Sequence, residues 1–265
     1  MSDIQTNVMD GPQDRKIAWR RAGKGHPIVL LHGITEGSIV FEPVIKQLAR
    51  DYDVVAIDMA GHQGSSAPGI VGMAEMVADA GMLIQTLRLE DPVLLGHSYG
   101  AIIAGALSAN GVGCATILID QLFELRGFRE MLLNNRELLE GENFHLFFDQ
   151  FFASFGMDKL NPSDRDLLAQ LHAKADQQFV LAQWAGVMAE DIGPVEELTD
   201  GVLRSISTPL LSLHSMDEDA GKSYKDWFLQ RVPHAKVEFL GDLSHWPHLV
   251  ETQNFCRRVK EFDPR

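Results

Sequence analysis

The sequence has few cysteines and no long apolar run. Its 265 residues include only Cys114 and Cys256, both in apolar surroundings. Two such residues do not make a disulfide framework, so we expect reduced thiols in the core of a cytoplasmic protein. Apolar stretches such as Ile28–Leu31 and Ala101–Leu107 are too short to span a bilayer. Disulfide scaffolds and membrane-spanning proteins are therefore excluded as fold classes.

Basic residues are also scarce: 23 Lys and Arg stand against 37 Asp and Glu, a formal net charge of −14. Such a surface repels phosphate backbones and anionic lipids, so we expect neither a nucleic acid nor a membrane as partner. The segment 1–10 has no basic stretch followed by an apolar core, so we expect no secretory signal there. The oligomeric state is left open by these features.

Short apolar runs alternate with helical patterns in the first 120 residues and again after residue 207. This alternation predicts an α/β fold with a mostly parallel sheet covered by helices on both faces. The expected strands are Ile17–Arg20 (at a sheet edge), Pro27–Leu31, Asp53–Ile57, Pro92–Leu95, Ala115–Ile119, Pro209–Leu213 and Ala235–Leu240. The expected helices are Phe41–Arg50, Met73–Leu87, Ala101–Ala109, Ser223–Val232 and Val250–Phe262.

Residues 121–207 have helical patterns throughout and no convincing strand. We therefore expect a helical cap at 121–207, inserted between core segments 1–120 and 208–265. One cap helix has a stripe of phenylalanines at helical spacing, from Phe144 to Phe155. The stripe either packs the cap onto the core or lines an apolar cavity above a site, and Trp184 has the same two interpretations.

The pentapeptide Gly96-His97-Ser98-Tyr99-Gly100 follows a predicted strand and opens a predicted helix. This is the context that a G-x-S-x-G nucleophile elbow requires. The tight turn demands small residues two positions either side of the serine, which Gly96 and Gly100 provide. Ser98 would then sit at a helix N-terminus, where backbone N–H groups favour negative charge.

Two further segments fit this elbow. Leu31–Ile34 ends an earlier strand, where the backbone N–H of Ile34, with that of Tyr99, would form a two-donor oxyanion hole. The segment 58–65 is interpreted as a structural turn, and His62 as a loop residue. His245 lies between the last strand and the last helix, the expected position of the base. His248 follows it, but Pro247 intervenes and no third ligand is evident, so we expect no metal site.

Two positions compete for the acid that orients His245. The loop after the seventh strand contains Asp217, Glu218 and Asp219, but no Gly-x-x-Asp, and this acidic run is also typical of a solvated loop. Asp120 directly follows the apolar strand Ala115–Ile119, and a buried carboxylate there would need a partner. We favour Asp120.

These motifs place the chain, by resemblance, in the α/β-hydrolase superfamily. Within it, the sequence resembles cofactor-independent dioxygenases that open 2-alkyl-3-hydroxy-4(1H)-quinolone rings. The resemblance rests on His97 before Ser98, on Asp120 after the sixth strand, and on the ending Ser244-His245-Trp246-Pro247. Some family members have a second histidine where this chain has Tyr99, and Trp and His near the oxyanion loop where it has Ile34–Glu36.

The resemblance implies a small apolar aromatic substrate and O₂ as partners, with no metal or other cofactor. His245 and Asp120 would act as a general base on the substrate 3-hydroxyl. His97 would hold the C4 carbonyl, Ser98 would donate a hydrogen bond, and the product would be an N-acylanthranilate with release of carbon monoxide.

A serine hydrolase is the alternative function, because the same residues can form a triad. Ser98 would attack an ester, thioester or lactone, His245 would take its proton, and the acid would orient His245. A third possibility is a ligand receptor that binds at this site without turnover. The fold alone does not choose among them.

Overall fold

The computed structural model describes residues 3–265, so Met1 and Ser2, at the start of the segment without an expected signal, lie outside the described part. Its centre is an eight-stranded sheet of order β1-β2-β4-β3-β5-β6-β7-β8. The strands are β1 Gln5–Asp10, β2 Lys16–Gly23, β3 His26–Leu31, β4 Tyr52–Asp58, β5 Val93–His97, β6 Ala115–Ile119, β7 Leu210–His214 and β8 Lys236–Phe239.

Twelve α-helices accompany the sheet in the described residues. They are α1 Glu42–Leu48, α2 Met73–Thr86, α3 Tyr99–Ala109, α4 Arg126–Asn134, α5 Arg136–Glu140, α6 Phe144–Ala153, α7 Pro162–His172, α8 Gln177–Met188, α9 Gly193–Ser205, α10 Glu218–Leu229, α11 Pro247–Val250 and α12 Thr252–Phe262. Short 3₁₀ helices occupy Ser38–Phe41 and Met157–Lys159.

In this spatial order, neighbouring strands from β4 to β8 are parallel. The β1–β2 and β2–β4 pairings are antiparallel. Strands β5, β6 and β7 are buried at every residue, as expected of central strands with helices on both faces. The predicted α/β-hydrolase fold class is confirmed by this topology. It brings the carboxyl ends of β3, β5, β6, β7 and β8 to one edge of the sheet.

One strand was missing from the sequence prediction. Ile17–Arg20 was expected at the sheet edge, but β1 pairs outside it, with Asn7 opposite Trp19. The residues of β1 are exposed or half-buried, so the strand lacks the apolar alternation that identifies a half-buried strand. An edge strand without a fully buried residue gives little hydrophobic signal.

The chain between β6 and β7 is helical or loop, and its helices α4–α9 lie within the expected cap range. The cap has its own aromatic core around Trp184, which is 5% exposed. Phe148 stacks on the Trp184 ring at 5.9 Å between centroids, and Phe147 and Phe128 meet it edge-on. Most of the phenylalanine stripe therefore packs the cap itself. The division at 121 and 207 stays a prediction.

Two other sequence features can be located in residues 3–265. None of the helices there combines the length and apolarity that a membrane crossing needs. Cys256 is buried as expected, whereas Cys114 is only partly buried, and both are free thiols.

Candidate active site

Ser98 occupies a strained turn between β5 and α3. Its backbone has φ 51° and ψ −123°, outside the regions that non-glycine residues ordinarily adopt. A Cβ on Gly96 would lie 2.2 Å from the carbonyl oxygen of Gly100, and a Cβ on Gly100 would lie 2.2 Å from that of Leu31. The expectation that both positions need glycine is confirmed, because the chain segments approach too closely for any side chain.

The neighbouring strand fixes the elbow. The N–H of Ser98 donates to the carbonyl of Ile119 on β6 at 2.9 Å, which extends the β5–β6 ladder by one residue. Ser98 itself is half-buried and caps α3. The side chain that emerges here is therefore on a rigid support at the end of two buried strands.

His245 and Asp120 form a close pair at the same edge of the sheet. Nδ1 of His245 lies 2.7 Å from Oδ2 of Asp120, while Oδ1 of Asp120 accepts from the N–H of Ser215 at 2.7 Å. Burial by itself would raise the pKa of Asp120, but the hydrogen bond and charge of His245 outweigh it and the pKa is lowered. The carboxylate thus stays ionised and fixes Nδ1–H of His245, which leaves Nε2 for another partner.

The three competing acids after β7 lie at the start of α10. Asp217 caps α10, Glu218 and Asp219 form its first turn, and all three are exposed. Acidic residues in a first helical turn favourably meet the helix dipole. Of the two predicted positions for the acid, the structure brings only Asp120 into contact with His245.

The loop after β3 contributes backbone donors. The N–H of Gly33 donates to Glu36 and that of Thr35 to Nε2 of His62, at 2.9 and 3.2 Å. Between them, the N–H of Ile34 has no acceptor among residues 3–265. Tyr99 is the first residue of α3, where backbone N–H groups lack intrahelical acceptors. The N–H groups of Ile34 and Tyr99 are thus without a recorded acceptor in residues 3–265, and their role as an oxyanion hole stays a prediction.

His97 is completely buried behind Ser98, with both ring nitrogens engaged. Nδ1 lies 3.3 Å from Oε2 of Glu36, and Nε2 lies 2.8 Å from the backbone carbonyl of His245. Burial lowers the pKa of His97, but the charge and hydrogen bond of Glu36 outweigh it and the pKa is raised. No ring atom is left to hold a substrate carbonyl, so that predicted role of His97 does not fit this structure.

Glu36 and Trp246 are site residues that the sequence prediction missed. The indole N–H of Trp246 donates to Oε1 of Glu36 at 2.7 Å, and both side chains are almost fully buried. Their spacing of 210 residues gives no local signal. Thr35 and Gly37 flank Glu36, so the local sequence does not mark this glutamate as buried.

The cap reaches His245 through the end of the phenylalanine stripe. The Phe155 ring stacks on the His245 ring at 4.8 Å, and the Phe155 carbonyl accepts from the His245 N–H at 2.9 Å. Phe151 contacts Phe155 at 4.5 Å and leads back to the cap core around Trp184. Phe155 therefore lies at the site, whereas Trp184 is inside the cap and stays only a predicted substrate contact.

Two other histidines, His62 and His248, are buried and contact other parts of the protein core. His62 accepts from Thr35 N–H, lies 3.1 Å from the carbonyl of Ala60, and has its pKa lowered to about 3 by burial. His248 is fully buried against Phe41, 5.3 Å between ring centroids. Within residues 3–265 there is no group of three or more His, Cys, Asp or Glu side chains that could hold a metal ion.

Comparison with known proteins agrees with this geometry. The sequence profile described as the alpha/beta hydrolase family matches residues 28–257. The chain is 26% identical over 259 residues to the pimeloyl-[acyl-carrier protein] methyl ester esterase of Vibrio parahaemolyticus, covering 92% of this chain and 96% of that protein. It is also 40% identical over 84 residues to the 2-(acetamidomethylene)succinate hydrolase of Mesorhizobium japonicum, covering 31% of this chain and 30% of that one.

Among solved structures, an esterase from Exiguobacterium antarcticum superposes with a TM-score of 0.81 at 21% identity, covering 97% of this chain and 98% of that one. This likeness concerns the fold. The relatives named here are esterases and hydrolases, so the finer resemblance to quinolone dioxygenases finds no support among them, and the hydrolase alternative is better supported. With the profile matched from residue 28 to 257 and the elbow and strand order in place, the chain belongs to the alpha/beta hydrolase family.

Proposed function

We propose that this protein is a serine hydrolase that cleaves carboxylic esters, with Ser98 as nucleophile, His245 as base and Asp120 as the orienting acid. The observation that carries the proposal is the strained elbow: it holds Ser98 on a rigid turn at the sheet edge where His245 has Nε2 free. The commitment of both His97 nitrogens favours this function over ring cleavage, which would need His97 on the substrate.

The chemistry follows from these positions. Ser98 Oγ attacks the ester carbonyl carbon while Nε2 of His245 accepts its proton, and Asp120 keeps Nδ1–H and stabilises the imidazolium. The N–H groups of Ile34 and Tyr99 donate to the oxyanion. His245 then returns the proton to the leaving alcohol, and an acyl group stays on Ser98. Water, activated by His245, attacks this acyl-enzyme and releases the carboxylic acid.

The surroundings of the pair favour an uncharged ester. The Phe155 ring covers one face of His245, and the side chains of His245 and Asp120 are only 10% and 16% exposed. The net charge of −14 does not attract an anion. A small neutral ester with an apolar group next to Phe155 therefore fits better than a dicarboxylate of the kind named for the Mesorhizobium relative.

The test is hydrolysis of p-nitrophenyl acetate and butyrate by the wild type and by Ser98→Ala. We expect Ser98→Ala to lower kcat by at least about 10³-fold, because the nucleophile is lost. Ser108→Ala is the matched control: this buried hydroxyl on α3 bonds Thr208, and its loss should leave kcat unchanged.

A parallel assay addresses the dioxygenase function directly. The enzyme is given a 2-alkyl-3-hydroxy-4(1H)-quinolone with and without oxygen, and carbon monoxide is followed in the headspace. Oxygen-dependent carbon monoxide release that survives in Ser98→Ala, with no ester hydrolysis by the wild type, would overturn the hydrolase proposal.

A further inference from the structure

One buried carboxylate accepts hydrogen bonds from three separate loops. Glu36 is 2% exposed. Its Oε2 accepts from the backbone N–H of Gly33 at 2.9 Å and lies 3.3 Å from Nδ1 of His97. Its Oε1 accepts from the indole N–H of Trp246 at 2.7 Å. The three donors belong to the loop after β3, the elbow after β5 and the loop after β8.

Each donor is the chain neighbour of one group of the proposed machinery. Gly33 precedes Ile34, His97 precedes Ser98, and Trp246 follows His245. A shift of Glu36 therefore changes the relative positions of an oxyanion donor, the nucleophile and the base together. Misplacement of reacting groups by about 1 Å can lower a rate about 10²-fold.

His97 extends the same network to the base. Its Nε2 faces the carbonyl oxygen of His245 at 2.8 Å and its Nδ1 faces a carboxylate, and both of these are acceptors. Satisfying both requires a proton on each ring nitrogen, so His97 is an imidazolium paired with Glu36. By contrast, Nε2 of His62 accepts from Thr35, so the proton-bearing nitrogen is Nδ1 and that ring is neutral.

A buried ion pair is poor evidence for stability alone, because desolvation offsets most of the attraction and apolar replacements often stabilise. The best-supported use of such a pair is to specify one arrangement of the groups around it. Here those groups are the three active-site loops. Other buried titratable rings surround the pair: His248 is 4.7 Å and His245 4.6 Å from His97 between ring centroids, and the charge of Glu36 also reaches His172.

We infer that Glu36, with His97 as its charged partner, is a positioning residue that holds the oxyanion loop, the nucleophile elbow and the loop of the base in register. The inference rests on the proposed ester hydrolysis for its kinetic readout. Glu36 and His97 do not touch substrate in this account; they act through Ile34, Ser98 and His245.

The kinetic test is the burst of p-nitrophenolate on acylation in Glu36→Gln. The amide keeps the shape but presents an NH₂ group to a site with three donors. We expect the acylation rate constant to fall about 10²-fold, while the substrate concentration that gives half of the maximal burst rate stays nearly unchanged. Two milder variants should lower the acylation rate constant less than Glu36→Gln does. Trp246→Phe removes one donor to Glu36, and His97→Gln keeps a donor for the His245 carbonyl. If Glu36→Gln does not fold, slower acylation in these two variants still supports the inference, and wild-type acylation in both contradicts it.

The matched control is Asp79→Asn, in which another buried carboxylate loses its ion pair. Asp79 on α2 binds Arg15 through two hydrogen bonds of 2.8 and 2.7 Å, and both side chains are at most 7% exposed. We expect Asp79→Asn to melt earlier than the wild type, as Glu36→Gln does, yet to acylate at the wild-type rate. Equal rate losses in the two variants, or a wild-type rate in Glu36→Gln, would overturn the inference.

A second readout separates failure of this inference from failure of the proposed function. ¹⁵N NMR of the ring nitrogens at neutral pH should show His97 with both nitrogens protonated in the wild type and neutral in Glu36→Gln. If no ester is hydrolysed but this difference appears, the ion pair is intact and the proposed reaction is wrong. A neutral His97 in an active wild-type enzyme would contradict the positioning inference and leave the hydrolase proposal standing.

Discussion

Two histidine–carboxylate pairs lie side by side in this molecule, with ring centroids of His97 and His245 4.6 Å apart. In the pair His245–Asp120 the side chains are 10% and 16% exposed, and in His97–Glu36 they are 0% and 2% exposed. His245 has Nε2 available, whereas both nitrogens of His97 are held by acceptors. We propose that the second ring nitrogen of His245, rather than the pairing with a carboxylate itself, equips this histidine to exchange a proton with Ser98.

Breaking the His245–Asp120 pair should lower the activity more than any other change considered below. Asp120→Asn keeps the size of the side chain but cannot hold Nδ1–H of His245, so the wrong tautomer is favoured. We expect kcat/KM for p-nitrophenyl butyrate to fall about 10³- to 10⁴-fold. Asp217→Asn makes the same chemical change at the exposed cap of α10 and should leave kcat/KM unchanged. The reverse ranking of these variants would show that Asp120 is not the acid.

Breaking the buried pair from both sides should have the next largest effect and should be strongly non-additive. Glu36→Gln removes the partner of His97, so adding His97→Gln takes away an interaction that is already lost. We expect the double variant to acylate about 10²-fold more slowly than the wild type, close to Glu36→Gln alone. Independent, multiplying effects in a double-mutant cycle would mean that the two residues do not work as a unit.

Removing the aromatic cover of His245 tests the contact between the His245–Asp120 pair and the cap, which the Phe155 ring makes. Phe155→Ala removes a stacked ring from the base, and we expect kcat/KM to fall up to about 10-fold. Phe144→Ala, at the other end of the same stripe, removes a ring that packs on Phe148 within the cap. This control should lower the melting temperature and keep kcat/KM; a loss of activity as large as that of Phe155→Ala would contradict the assignment of Phe155 to the site.

The two kinds of buried histidine should give opposite slopes of stability against pH. Burial lowers the pKa of His172 and His214 to about 4, so the unfolded chain binds more protons there and unfolding free energy rises up to pH 6.5. The pKa of His97 is raised above 6.5, so the folded chain binds the extra proton and its contribution is lost as pH rises further.

Urea unfolding at a series of pH values tests this sign. The wild type should lose stability as pH rises above 6.5 towards the folded pKa of His97, and His97→Gln should lack that part of the slope. The rising slope between pH 4 and 6.5 should persist in the variant, because burial, the largest cause of the lowered pKa of His172 and of His214, does not change. An identical slope above pH 6.5 in both proteins would show that His97 does not titrate in the expected direction.

Local sequence patterns predicted most of the sheet and the tight turn at Ser98. The elbow is encoded within five residues, because strand, tight turn and helix follow one another there. Asp120 stood out as a lone acid after a buried strand, and the structure brings it to His245. The acids at 217–219 were expected in a loop, but Asp217 caps α10 and the other two form its first turn, because the helix begins before the predicted Ser223.

The missed features depend on contacts between distant parts of the chain. Glu36 is 61 residues from His97 and 210 from Trp246, so only the folded sheet edge brings the three together. The resemblance to quinolone dioxygenases put His97 at the substrate, and nothing in the sequence reveals that both of its nitrogens face acceptors. Strand β1 was missed for a different reason: its residues are exposed or half-buried, so its pairing with β2 leaves little hydrophobic pattern.

The most direct test of the central claim is mass spectrometry of the peptide that contains Ser98, after rapid acid quenching of a reaction with p-nitrophenyl acetate. We predict one acetyl group on Ser98 in the wild type, accumulating in step with the p-nitrophenolate burst and absent from Ser98→Ala. Ester hydrolysis by the wild type without an adduct on this peptide, matched by undiminished hydrolysis in Ser98→Ala, would contradict it.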